Sequence, residues 1–200
     1  LSSRMYYFTL KQYDKAEQNF QLLYQQATQS ENKNEAEKGL LRCYFQGKKW
    51  NEAALIGQQI LQDKSAATDD IQMANLSLYH TAINNKDTLN ALNYIHKIIK
   101  SNSSNIVAEA HYYLAEIYVG QSKWNLAEKT AFDVIKKQAA YAYWVTKSYI
   151  LLGDIYLAQN DQFNAIATYK SVVENAEIES LKLIATEKLK QLTESTNTIK

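Results

Sequence analysis

Five alanines, Ala16, Ala53, Ala91, Ala127 and Ala165, recur along this 200-residue chain at intervals of 37, 38, 36 and 38 residues. Aromatic and leucine residues keep the same company around each of them. A chain self-similar at such a period folds as stacked supersecondary units, because one unit alone cannot bury its apolar face. The array then counts as one continuous domain rather than the one or two globules its length would suggest.

Each unit reads as two amphipathic helices. His111, Leu114, Ala115 and Tyr118 lie at i, i+3, i+4 and i+7, and Trp124, Ala127, Ala131 and Val134 form a second stripe after a turn around 120–123. Two such helices joined by a few residues make an antiparallel hairpin. Tyr149, Leu152, Gly153 and Tyr156, then Ala165, Tyr169 and Val172, repeat the arrangement. So do Leu40, Leu41, Tyr44, Trp50, Ala53, Gly57 and Ile60. Tyr7, Tyr13, Ala16, Phe20 and Leu23 fit a first unit with a shortened opening helix.

The segments Leu114-Ala115-Glu116-Ile117-Tyr118 and Leu152-Gly153-Asp154-Ile155-Tyr156 resemble the signature of the tetratricopeptide repeat (TPR) family. The resemblance covers about residues 1–175 and implies an all-α, right-handed superhelical solenoid of about five hairpins. The units fall near 1–29, 30–66, 67–103, 104–139 and 140–176. A capping helix over 178–193 follows, built on Ile178, Leu181, Ala185, Leu189 and Leu192. Its other face carries Glu179, Lys182, Glu187, Lys188 and Lys190, as an array end requires. These elements form a single domain, 1–193, and residues 194–200 are expected to be a disordered tail. Asp69 and Asp70 are expected to cap a helix starting near Ile71, and Ser104 or Asn105 one starting near Ile106.

Four features depart from the family pattern. The units exceed its 34 residues by two to four, and no unit ends in proline. The third carries Tyr79 where a small residue belongs and Ala82 where the tyrosine belongs, either a volume-conserving exchange or a misread register. In the fifth, Phe163 stands two residues before the alanine instead of three, which predicts a different turn.

Composition narrows the function classes. Net charge is +1, from 22 basic and 21 acidic residues, so the basic surface that nucleic acid requires is missing. No apolar run approaches the ~20 residues that span a bilayer. One cysteine, Cys43, excludes an intramolecular disulfide framework and a multi-cysteine zinc site. His80, His96 and His111 form no metal-binding helical pair, and no phosphate loop or nucleophile motif occurs. Neither cofactor nor catalysis is therefore expected. His111 and Cys43 read as packing residues, and a Cys43–His80 pair is the remote exception. The chain opens at Leu1 without an initiator methionine, as a fragment or processed form would. Its Tyr-, Asn- and Lys-rich style resembles long bacterial envelope proteins with such repeats, which implies the envelope or periplasm, with the cytoplasm as alternative.

The family resemblance implies an inner groove lined by first-helix positions that face away from the second helix. These are Lys38, Arg42, Phe45 and Gln46; Met73, Leu76, His80 and Ile83; Glu109, Tyr112, Glu116 and Val119; and Lys147, Ile150, Asp154 and Leu157. Lys38, Arg42, Phe45, His80, Tyr112, Glu116 and Asp154 are the expected partner-binding residues. A groove basic at Lys38 and Arg42, apolar in the middle and acidic at Glu109, Glu116 and Asp154 would suit a peptide or helix of opposite polarity. The rival reading is an ordinary solvated surface. Tyr141, Tyr143 and Trp144 read as core rather than as a hot spot, since aromatic stripes usually pack. The expected function is non-catalytic binding of a protein or peptide. The alternatives are a structural segment of a longer array and, more remotely, a helical enzyme domain.

Overall fold

The computed structural model describes residues 3–198, which are helical with no strand among them. A π-helical turn, Met5–Thr9, precedes α1 (Tyr13–Gln26), α2 (Ser30–Gln46), α3 (Trp50–Gln62), α4 (Thr68–Asn84) and α5 (Thr88–Ile98). Then come α6 (Asn105–Gly120), α7 (Trp124–Lys137), α8 (Ala142–Ala158), α9 (Gln162–Asn175) and α10 (Glu179–Thr198). Contacts gather these elements into two compact units, Leu1–Ser101 and Asn102–Lys200, where the repeat predicts one continuous domain. The division falls at an expected hairpin boundary. The first unit holds the short opening turn with α1 and the hairpins α2–α3 and α4–α5. The second holds α6–α7, α8–α9 and α10.

The five recurring alanines are fully buried, one on the second helix of each hairpin. A second row of small residues has the same period on the first helices: Ala36, Ala74, Ala110, Ser148 and Ala185, also fully buried. A β-carbon at Gly57 of α3 would lie 3.3 Å from the Ala74 backbone of α4, so successive helices meet closely there. Within the first unit Phe20, Leu40, Leu41, Cys43, Ile56 and Ile60 fill the space around these crossings. In the second unit one core forms around Trp144, Leu151, Leu152 and Ile155, and another around Tyr169, Val172, Leu181 and Leu192.

Five turns share one left-handed residue, and the four after the first close with the same pair of bonds, whereas the first, behind its π-helical turn, bonds Gln12 N–H to the Tyr6 carbonyl. The residue five places before each repeat alanine, namely Lys11, Lys48, Lys86, Ser122 or Asn160, has a positive φ between 52 and 62°. At the α2–α3 turn, Lys49 N–H donates to the Tyr44 carbonyl at 2.9 Å and Lys48 N–H to that of Phe45 at 3.1 Å. Asp87 to Ala82, Lys123 to Tyr118 and Asp161 to Tyr156 repeat the outer bond at 2.8–2.9 Å. This is the Schellman closure, in which one left-handed residue lets two amides satisfy orphan helix carbonyls. The fifth turn therefore matches the three before it, contrary to expectation, and Phe163 simply stands on the surface, 82% exposed. Tyr79 and Ala82 are both buried and fall where Leu41 and Tyr44 fall in α2, so the register holds and the two sizes are exchanged.

The expected caps divide. Ser104 accepts from Val107 N–H at 3.2 Å and caps α6. α4 begins at Thr68 without a side-chain cap, because Asp70 is turned into the unit to meet two cations. α10 starts 37 residues after α8 and buries Leu181, Ala185 and Leu192 where α8 buries Trp144, Ser148 and Ile155. Where α8 presents Tyr149, Gly153 and Tyr156 to α9, α10 carries Thr186, Lys190 and Thr193. It is thus a first-type helix whose partner face is polar, as a cap needs. Its outward side is less polar than expected: Leu183 and Ile184 are exposed, and Lys188 turns inward. The helix also continues to Thr198, into the segment expected to be disordered; residues 199 and 200 lie outside the described residues.

Candidate functional site

In the first unit the exposed first-helix face joins a fixed charge cluster to an aromatic patch. Arg42 donates to Asp70 Oδ1 at 2.7 Å and to the Lys38 carbonyl at 3.1 Å, and Lys38 Nζ lies 3.1 Å from Asp70 Oδ2. Asp70 is only 5% exposed. The spot expected to be doubly basic is therefore a triad with one net positive charge, and the guanidinium is held in place before any partner arrives. Nearby, Arg4 pairs with Glu35.

One turn along α2, the Phe45 ring centroid lies 5.3 Å from Trp50 and 5.6 Å from His80. Trp50 and His80 stack at 4.2 Å with planes 14° apart. All three rings are half-buried, and Ile83, at the place in α4 that Phe45 holds in α2, is 38% exposed. Burial, with the Lys48 charge as a smaller contribution, lowers the His80 pKa to about 4. At neutral pH the patch is therefore an uncharged aromatic surface beside a guanidinium. Leu76, expected in the groove, is buried.

The second unit has a different face. Tyr112, an expected binding residue, is 6% exposed and packs at 5.6 Å from Trp144 and 5.8 Å from Tyr113, so its ring belongs to the core. Its hydroxyl donates to Glu116 Oε1 at 2.7 Å. Ile150 is likewise buried. First-helix spacing finds the correct side of the helix, but these two positions face the next helix of the unit rather than solvent. Lys147 Nζ sits 4.1 Å from the Tyr112 ring centroid and 5.2 Å from that of Trp144, a cation–π arrangement. Trp144 is core, as expected, whereas Tyr143 is exposed.

The expected acidic end is partly neutralised. Asp154 accepts from Tyr169 at 2.5 Å and from Lys188 at 2.7 Å. Burial pushes the Glu109 carboxyl up to about 7, against the opposing pull of its Tyr113 hydrogen bond and of Lys147. Glu116 is exposed as a residue, yet desolvation of its carboxyl outweighs Tyr112 and Lys147 and raises its pKa as well. Asp70, Lys147 and Lys188 carry these electrostatics. Their partners lie on other helices, so no local signal marked Asp70 or Lys188.

The arrangement lacks the marks of nucleophilic chemistry. Cys43 is buried, and burial pushes its thiol up to about 12, opposite to what a thiolate nucleophile needs. His80 stands in the aromatic patch instead. Among the described residues no three His, Cys, Asp or Glu side chains gather as metal ligands, and no helix is long and apolar enough to cross a membrane. These faces present rings, a guanidinium and carboxylates, which suit recognition.

No protein-family model and no curated sequence matches the chain. Solved structures do. YrrB, described as a TPR protein with an unusual peptide-binding site, superposes with a TM-score of 0.61 at 14% identity, covering 92% of this chain and 88% of its own. TTC0263, a thermophilic TPR protein of Thermus thermophilus, superposes with a TM-score of 0.59 at 17% identity, covering 90% and 92%. The fold is therefore TPR-like, an all-α series of stacked helix hairpins.

Proposed function

We propose that this TPR-like chain is a non-catalytic protein-interaction scaffold whose first unit docks a peptide or helical segment on the exposed face of α2 and α4. The observation that carries the reading is the Phe45–Trp50–His80 patch, half open to solvent and flanked by Arg42 and Ile83. Aromatic residues and arginine supply most interface hot spots. Because Arg42 is already held by Asp70 and the rings already stack, docking costs little further side-chain entropy. The peptide-binding site attributed to YrrB supports a peptide as the class of partner. The rival, a segment that only extends a longer array, predicts contacts through the ends, and the polar partner face of α10 does not favour it.

The test starts from affinity capture with the full chain, followed by mapping the captured protein to a segment and titrating that segment by calorimetry. Ile83→Ser, at an exposed position, should weaken binding at least tenfold, about 1.4 kcal/mol, with the melting temperature nearly unchanged. Binding that survives this change and Phe45→Ala, but is lost when α10 is altered, would overturn the proposal in favour of the array-end reading.

A further inference from the structure

The three hairpin turns of the first unit place the same side chain at the same position. Lys11, Lys48 and Lys86 are the left-handed residues of those turns, with φ of 52, 54 and 59°. A β-carbon is unfavourable in that conformation, and glycine or asparagine is its ordinary occupant. The second unit uses Ser122 and Asn160 at its two turns. Closure needs only backbone groups, so nothing in the hairpin calls for lysine.

The three side chains are exposed and, among the described residues, make no ion pair, hydrogen bond or ring contact. Most other cations of the unit are engaged, Lys64 and Lys100 of the connectors between hairpins excepted. Lys38 and Arg42 hold Asp70, Lys49 holds Glu17, and Lys15 and Lys33 lie over tyrosine rings. Helices of successive hairpins touch, α2 against α4 included. Equivalent turn residues therefore repeat along one edge, at no less than about the 8–10 Å spacing of packed helices.

We infer that this edge is a second docking surface, for an acidic polypeptide segment whose carboxylates repeat at that spacing. In an extended chain rising about 3.3 Å per residue, this means one acidic residue at about every third position. Asp14 and Asp87 stand beside the lysines in sequence, and Asp87 caps α5 through the Asn90 amide. A dense polyanion such as nucleic acid would meet carboxylates as well as ammonium groups at these turns, and the near-neutral chain supplies no broad basic field to offset them. Spaced carboxylates avoid them. The edge borders the α2–α4 face proposed above at Lys48, whose charge reaches His80, but it is built from different side chains.

The experiment uses the full chain and a fluorescein-labelled peptide of about five Glu-Gly-Ser triplets, enough at ~3.3 Å per residue to span three turns. An isomer of identical composition with its glutamates contiguous is the comparison, and oligo-dT is a competitor. Anisotropy titrations run at low and at physiological ionic strength. The spaced peptide should bind several-fold tighter than the block isomer and outlast competition by oligo-dT. The triple variant Lys11→Asn, Lys48→Asn, Lys86→Asn, whose asparagines accept the turn conformation, should keep its melting temperature and lose at least tenfold in affinity. Ile83→Ser should leave this binding unchanged, which separates the edge from the aromatic face. Equal binding of the two isomers, an unaffected triple variant, or preferential capture of oligo-dT would each overturn the inference.

Discussion

Gly153 lies inside α8, where glycine costs about 1 kcal/mol relative to alanine, so alanine there ought to stabilise the helix. The surroundings reverse the sign. An added β-carbon would lie 2.4, 2.7 and 2.8 Å from Cε1, Cζ and Cδ1 of Tyr169, so the ring must shift by about 1 Å to reach ordinary contact. The ring is almost fully buried, and its hydroxyl is held at 2.5 Å by Asp154, which also holds Lys188. Overpacking of this kind costs about 1–3 kcal/mol, and loosening a hydrogen bond to a charged group adds about 1–2. After the helix gain, Gly153→Ala should destabilise the second unit by about 2 kcal/mol. Gly120, at the end of α6, has nothing within 4 Å of its would-be β-carbon, so Gly120→Ala should stabilise by up to about 1 kcal/mol. Urea unfolding followed by far-UV circular dichroism and tryptophan fluorescence reads both, and Tyr169→Leu should relieve much of the Gly153→Ala penalty. Equal stabilisation by the two alanines would refute the close approach of α8 and α9.

Among the described residues the Ser148 hydroxyl is buried without a hydrogen-bond partner in a row otherwise made of alanine, so Ser148→Ala should raise stability by about 1 kcal/mol, read as a higher urea midpoint. Arg42→Ala leaves buried Asp70 with Lys38 alone and should cost about 1–3 kcal/mol in the same assay; Asp70→Asn in that background should recover part of it. Burial keeps Glu109 protonated in the folded unit up to about pH 7, whereas an unfolded glutamate releases its proton near 4.5. The folded state holds the extra proton across that window, so this group's contribution to stability is present below about 4.5 and falls as pH rises to about 7. Glu109→Gln should flatten that fall and raise the melting temperature at pH 8, and an unchanged pH profile would contradict the burial.

Residue order alone was enough to locate the hairpins. The alanine period sets the helix crossings, the apolar stripes set the helices, and Ile178 to Leu192 announces a closing helix. These are local matters of propensity and spacing, repeated often enough that chance agreement fails. What lay beyond the sequence were relations between helices far apart in it. First-helix spacing placed Tyr112 and Ile150 on the same side as Glu116 and Asp154, but only the stacking of α6 on α8 decides which of them another helix covers. Asp69 and Asp70 read alike as caps until the fold brings Arg42, 28 residues upstream of Asp70, within 2.7 Å. The left-handed turns escaped because lysine stands where glycine would have signalled them. A periodic pattern reports which side chains leave water, because burial is shared by every copy of the unit. It does not report which partner each one meets, because that depends on distances set when the hairpins stack.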